Sequence, residues 1–293
     1  VRVEVRKAII PAAGWGTRLL PASKAIPKEM LPIVDRPGIQ YIVEEAVASR
    51  LNEIILVTGK GKGCIEDHFD IQRELEEVLE KNGRKELLTA VREVSRMVNI
   101  IAVRQKQQLG TGDAVLCAAP VAASEAVAVL YPDDLIDAEV PVTRQLLDVY
   151  ERHQPAAVIA LREVPEEDAP LYGMVEGERI EDRLYLIKRI VEKPPRGKAP
   201  SNLAIIGRYI LPPEIFPVLR QLRPSADGEI QLAEGLAELS RRGRALGYLF
   251  SGARYDIGDK LGYVQATVGY ALKRPELRER FKQWLREVVR DEK

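Results

Sequence analysis

Residues 7–32 read KAIIPAAGWGTRLLPASKAIPKEMLP. The apolar run Ala8-Ile9-Ile10 reads as a buried strand, after which the chain turns through Ala13-Gly14-Trp15-Gly16-Thr17-Arg18. A strand feeding a glycine-rich turn lets backbone N–H groups converge on an anion. Arg18 follows the glycines and Lys28 stands further along the same stretch. Two cations beside such a turn point to a polyphosphate rather than a lone carboxylate. The dinucleotide fingerprint requires a third glycine three residues after the second. Leu19 occupies that position, which removes the Rossmann dehydrogenase reading. A Walker loop is absent too, because no Gly-Lys-Ser/Thr follows at its spacing.

Outward from this turn, apolar runs alternate with longer helical patterns, as in parallel βαβ units. The runs predict strands over 7–11, 53–58, 99–104, 127–131 and 157–162. A helix is predicted over 39–50, with Ile39, Ile42, Val43, Ala46 and Val47 on one side. The charged segment 65–93 reads as one or two solvated surface helices broken near Asn82-Gly83. From about 157 the pattern becomes more antiparallel, with β-like runs at 173–176, 184–191 and 202–209 and turns at 176–178 and 194–197. Helices are predicted over 213–222 and 229–242. A helical tail follows Gly262, interrupted at Arg274-Pro275. The expected fold class is α/β, Rossmann-like, with a mixed, mainly parallel central sheet flanked by helices. The expected organisation is one domain over 1–293: a nucleotide-binding half to about 155, a sugar-binding half over about 156–262, and C-terminal helices over 263–293.

The 293 residues carry 44 Lys+Arg against 44 Asp+Glu, a formal net charge of zero. That balance favours neither nucleic acid nor an anionic membrane, so any basic site must be local. Cys64 and Cys117 form neither a disulfide framework nor a C-x-x-C zinc site, and two buried thiols are expected. The leading VRVEVRK lacks an apolar signal core and no run of about 18 apolar residues occurs, so a soluble, cytoplasmic protein is expected. The only histidines, His68 and His153, stand in polar, helix-like contexts and read as surface residues.

The G-x-G-T-R turn, followed by Pro21 and P-K-E-M-L-P, resembles the signature of the sugar-1-phosphate nucleotidyltransferases, and within them the uridylyltransferase branch. The charged segment after CIEDHFD favours that branch, and the resemblance spans about residues 5 to 270. It implies transfer of a uridylyl group from UTP to glucose 1-phosphate, releasing pyrophosphate, with Mg²⁺ and in a homodimer or homotetramer. The same chemistry with dTTP or another sugar phosphate is a sibling reading. A catalytically silent nucleotide-sugar binder is disfavoured, since Arg18, Lys28, Asp133, Lys193 and Asp256 are all present. The attacking phosphate is already ionised, so cations, backbone N–H groups and a metal suffice and histidine is not needed.

Carried over residue by residue, the resemblance places Ala12, Ala13, Gly14 and Gly16 under the nucleotide. It places Arg18 on the β/γ-phosphates and Lys28 near the reacting phosphorus. Gln105 and Gly110 would meet the base, the Gln105 amide having both the donor and the acceptor that uracil's edge requires. Asp133, at the end of VAVLYPDD, and Asp256, in RYDIGDKLGY, would hold Mg²⁺. Asp134 would point elsewhere if the strand continues. Tyr172-Gly173 resembles the family's sugar-facing turn. In Val191-Glu192-Lys193-Pro194, Glu192 would accept from sugar hydroxyls and Lys193 would bind the sugar phosphate; Asn202 would help hold the sugar. Glu229 and Gln231, in a motif like the family's GEIQL helix start, would either support the sugar pocket or cap and pack. One departure stands out. The uridylyltransferases usually have Leu-Gly-x-Gly-His-Ala-Val, whereas this chain has Asp113 in place of the His. Asp113 also reads as a first-turn acid that complements a helix dipole.

Overall fold

The structure, a computed structural model, describes residues 4–122, 124–225 and 228–291. Thirteen strands are found among them: β1 Lys7–Pro11, β2 Pro32–Ile33, β3 Arg36–Pro37, β4 Glu53–Thr58, β5 Asn99–Arg104, β6 Val127–Leu130, β7 Asp134–Asp137, β8 Ala157–Glu163, β9 Gly173–Glu181, β10 Leu184–Glu192, β11 Leu203–Leu211, β12 Ala245–Leu249 and β13 Ala253–Asp256. The α-helices are α1 Gly38–Ala48, α2 Gly63–Asp67, α3 Arg73–Lys81, α4 Lys85–Arg96, α5 Thr111–Cys117, α6 Ala119–Ala122, α7 Val142–His153, α8 Ile215–Gln221, α9 Leu232–Arg242, α10 Lys260–Ala271 and α11 Pro275–Asp291.

One sheet organises the molecule, in the order β5-β4-β1-β6-β11-β8-β12-β10-β9. The first four strands are mutually parallel, as are β8 and β12; the other neighbours are antiparallel. Continuous apolar runs are needed because both faces are covered. In β1, Ala8 and Ile10 face a core with Ile39, Ile42 and Val43 of α1 and Leu146 of α7, while Ile9 faces one with Val115 of α5 and Leu236 of α9. The edge strand β5 is largely exposed despite its apolar sequence. Among the described residues no helix is long and apolar enough to cross a membrane.

The charged segment forms α3 and α4, broken at Asn82-Gly83 as predicted, with Gly83 at φ 65°. Three other predictions need correction. The turn expected at 176–178 is strand: β9 runs on to Glu181, and the reversal falls at Asp182-Arg183, with Arg183 at φ 61°. Gly177 serves the ladder instead, since a Cβ there would lie 3.1 Å from the Tyr185 Cβ. The helix predicted from 229 starts at Leu232. Residues 229–231 are extended because Ile230 N–H donates to Leu109 O at 2.7 Å and Gly112 N–H donates to Ile230 O at 2.8 Å. The two thiols are not both buried: Cys64 is exposed, beside Ile65, the one buried residue of short α2, and Cys117 is half-buried.

The histidines are less exposed than predicted. His68 meets the Gln40 Oε1 at 3.0 Å and packs edge-on against Phe69, and the His153 side chain keeps 13% of its exposure.

The strand order creates the site. From β1 the chain passes to β4 and β5 on one side and then returns to β6 on the other. A crevice therefore opens beyond the carboxyl ends of β1 and β6, the switch point at which open α/β sheets hold ligands.

Candidate active site

The glycine turn leaves β1 at this switch point. Ala12 N–H still donates to Val57 O at 2.8 Å, continuing the sheet, and Gly16 then takes the left-handed conformation at φ 70°. The Ser23 hydroxyl donates to Gly16 O at 2.7 Å, tying the far side of the loop back to the turn. A single turn of 3-10 helix, Lys28–Met30, carries Lys28 behind Gly16. Glu29 faces the other way, into a buried ion pair with Lys62 at 2.9 Å.

Asp133 leaves the end of β6. The acidic strands β7 and β13 pair antiparallel, with Asp134 opposite Asp256, so two sequence-distant acids share one cleft wall. Lys28 Nζ donates to Asp133 Oδ2 at 2.7 Å, and Arg18 Nη1 donates to Asp256 Oδ2 at 3.1 Å. Arg18 Nη2 also stands 3.6 Å from Asp133 Oδ2, so one guanidinium spans both carboxylates. Burial works against ionisation of Asp133, but Lys28 and Arg18 outweigh it and hold the carboxyl below its usual range. Burial likewise opposes the Lys28 charge, and Asp133 outweighs it, raising the ammonium above its ordinary value. Arg18, Lys28 and Asp133 are thereby charged at neutral pH.

Asp134 turns away from this group. Its Oδ2 accepts Gly207 N–H at 2.8 Å and its Oδ1 meets Arg254 at 2.5 Å, so it locks β11 and β13 together. Arg254 also donates to the Tyr172 hydroxyl at 2.9 Å and stands 3.7 Å from Asp256. The sequence reading did not single out Arg254. Its signal was its place two residues before Asp256 on the same strand, which sets both on one face.

The cleft continues along the second half of the sheet. It encloses about 640 Å³, and Arg18, Asp133, Asp256, Gly173, Glu192 and Lys193 are among the residues lining it. Glu192 lies close against Gly173, where a Cβ would stand 2.9 Å from Glu192 Oε2. Lys193 takes φ 43° at the end of β10, with its N–H on Tyr172 O at 3.0 Å. The Lys193 ammonium stands 3.8 Å from Glu192 Oε1, so the two neighbouring side chains end close together in the cleft. Tyr131 and Tyr209 form part of the wall with rings 5.5 Å apart. Burial pushes both phenols well above their ordinary value, so neither adds negative charge. Asn202 is not among the lining residues; it is exposed and donates to Glu163 Oε1 at 3.4 Å. Gln231 lines the cleft and donates to Glu229 Oε2 at 2.7 Å.

At the other end of the crevice, Gln105 follows β5. Its N–H continues the sheet to Thr58 O at 2.9 Å. Its Nε2 donates to Asp113 Oδ2 at 2.7 Å and to Gly110 O at 3.2 Å. The amide therefore does not offer both a donor and an acceptor outward, as the sequence reading expected. Both amide protons are used within the protein. Gly110, at φ 96°, lies so close to the 229–231 segment that a Cβ would stand 2.6 Å from Ile230 O.

The donor set bears on a metal. Among the described residues no three or more His, Cys, Asp or Glu side chains cluster for one. Asp133 and Asp256 do converge on a single cationic group, Arg18. Two carboxylates suit a hard divalent cation that fills its remaining positions with phosphate oxygens and water.

A glycine turn with two cations, facing two acids across a sheet switch point, defines a phosphoryl-handling α/β protein. The nucleotidyl transferase family model matches residues 7–272, and the chain belongs to that family. It is 51% identical over 276 residues to the UTP–glucose-1-phosphate uridylyltransferase of Bacillus subtilis strain 168, covering 94% of each chain. It is 48% identical over 285 residues to the protein of that name from a Staphylococcus epidermidis strain, covering 97% of this chain and 99% of the relative. Among solved structures, UTP-bound UGPase from Acinetobacter baumannii gives a TM-score of 0.89 at 41% identity, covering 97% of this chain and 99% of that one. A UDP-glucose pyrophosphorylase complexed with UDP-glucose gives 0.85 at 41% identity, covering 92% of this chain and all of that one. Enzymes of this family typically use a divalent metal ion.

Proposed function

We propose that the protein transfers the uridylyl group of UTP to glucose 1-phosphate, giving UDP-glucose and pyrophosphate. The carrying observation is the pairing of Lys28 with Asp133 and of Arg18 with Asp256 at the switch point, at one end of a cleft that reaches Glu192 and Lys193. The names of the relatives, about half identical over nearly the whole chain, support the choice of substrates.

The first half of the chain, to about residue 155, is the nucleotide side in this reading. Backbone at Ala12, Ala13, Gly14 and Gly16 lies along the triphosphate, and Gln105 and Gly110 meet the uracil. Arg18 exchanges Asp256 for the β/γ-phosphates, where its planar fork stabilises the departing pyrophosphate. Lys28 exchanges Asp133 for an oxygen on the reacting phosphorus. Asp133 and Asp256, released from those cations, would hold Mg²⁺. When bound, that ion supplies charge neutralisation between two anions that must approach each other.

Residues 156–262 form the sugar side. Lys193 holds the attacking phosphate in line, and Glu192 accepts hydrogen bonds from sugar hydroxyls beside Gly173. The exposed Asn202 reaches the sugar only from the rim. The C-terminal helices, 263–293, carry exposed Trp284 and Val289 on α11, which suits a homodimer or homotetramer. The cytoplasm, with its supply of nucleoside triphosphates, is the compartment this chemistry requires.

Pyrophosphate release tests the reading. UTP and dTTP are each offered with glucose 1-phosphate, galactose 1-phosphate and N-acetylglucosamine 1-phosphate, with and without Mg²⁺. Turnover is expected to be fastest with UTP, glucose 1-phosphate and Mg²⁺ together. Faster turnover with dTTP or another sugar moves the protein to a sibling activity, and no release with any pair removes the transferase reading.

A further inference from the structure

The loop 105–110 lies over the glycine turn. Gln108 Nε2 reaches Ala13 O at 3.5 Å, and Gly112 and Ile230 clamp the loop's far end. Gln105 is buried within it. Its Nε2 has two neighbours, the Asp113 carboxylate and the Gly110 carbonyl, and both are acceptors. Amide orientation is ordinarily an assignment, but here chemistry decides it. Rotating the amide by half a turn would set Oε1 against a carboxylate oxygen and a carbonyl oxygen at once, with no proton between them.

The consequence lies on the other side of the amide. Among the described residues no donor reaches Gln105 Oε1, and no fully buried polar side-chain atom lacks a partner, so this oxygen touches solvent. Gln105 thus presents a fixed acceptor. Uracil carries a proton on N3, and an acceptor suits it. Cytosine carries a lone pair on N3, and an acceptor repels it.

We infer that Asp113 is a specificity-determining positioning residue, which holds the Gln105 amide so that only a base with a ring N–H opposite Oε1 is accepted. Its acceptor oxygen does this, not its charge at the helix end. The device separates uracil from cytosine and treats uracil and thymine alike. The inference rests on the proposed contact between Gln105 and the base.

The test uses the full-length protein, with saturating glucose 1-phosphate and Mg²⁺, and reads kcat/KM for UTP and for CTP. Asp113→Leu removes the acceptor and excludes a replacing water. It is expected to raise the CTP:UTP ratio about tenfold or more while leaving the KM for glucose 1-phosphate within about twofold. Asp113→Ala stands in if the leucine variant is insoluble. Asp113→Asn keeps an acceptor and loses the charge, so it is expected to retain the native ratio; a helix-dipole role would make it behave like the leucine variant. A ratio unchanged in the folded leucine or alanine variant, with Gln105→Leu shifting it, overturns the role of Asp113 alone. A ratio unchanged in Gln105→Leu overturns the base contact itself, and the inference with it.

Discussion

Two cation–carboxylate groups lie one above the other, and they differ in what surrounds them. Beneath the cleft, Arg208 is fully buried and grips Glu45 through three contacts of 2.8 to 3.1 Å. It spends its remaining protons on the carbonyls of Tyr131, Gly207 and Asp134. In the cleft, Arg18 and Lys28 meet Asp256 and Asp133 at similar distances, yet Arg18 keeps 55% of its side-chain exposure. The buried pair has every donor engaged by groups that never leave. The cleft pairs face open space into which a charged ligand can enter. The same residue types therefore make a structural rivet in one place and an exchangeable site in the other, and solvent access separates the two.

Asp133→Asn should break this comparison from the cleft side. Pyrophosphate release is expected to fall about a thousandfold or more, since a metal-binding carboxylate is lost while the fold keeps its rivet. Turnover within tenfold of the native rate would remove Asp133 from the metal pair. Arg208→Met should break it from below. It leaves Glu45 buried without a cation, and urea unfolding should report a loss of about 3–5 kcal/mol. A loss under about 1 kcal/mol would show that the rivet is dispensable.

Lys193→Ala is a smaller perturbation at the cleft's far end. The KM for glucose 1-phosphate should rise about tenfold with that for UTP within about twofold; equal rises would take Lys193 off the sugar side. Acid sharpens the contrast further. Burial pushes Glu45 up, but the Arg208 ion pair outweighs it and holds the carboxyl below its ordinary 4.5. Its stability contribution is therefore complete above about pH 4.5 and is lost as pH falls through the lowered folded value. In Arg208→Met the burial cost is opposed only by the Thr143 hydroxyl and N–H, which donate to Glu45 Oε1 at 2.6 and 3.1 Å, so that carboxyl should titrate higher than in the native protein. The variant's deficit relative to the native protein should then shrink as the solution is acidified. A deficit that stays constant or grows would refute the pairing as the cause.

Much of the parallel half was legible because strand runs there are short and apolar, and all but the edge strand β5 are covered on both faces. The runs over 7–11, 53–58 and 99–104 coincide with β1, β4 and β5. The antiparallel half was harder. Gly177 resembles a turn residue in sequence, yet it meets Tyr185 across a ladder. Strand β12 was not predicted at all; it takes its place by pairing with β8 and β10, which no local pattern records. The proposed site was legible as motifs, through Arg18, Lys28, Asp133, Glu192, Lys193 and Asp256. The roles of Arg254 and Asp134 were not, because they arise only when β7 and β13 pair.

By itself, the sequence determined the alternation of strand and helix, the glycine turn and the kinds of charge that would surround a phosphate. These follow from side-chain size, period and backbone freedom, which act over a few residues. Which cation faces which acid, which carboxylates stay exchangeable, and which way the Gln105 amide points were decided only by the tertiary structure. They depend on distance and solvent access between residues far apart in the chain, and those quantities do not exist until the sheet has formed.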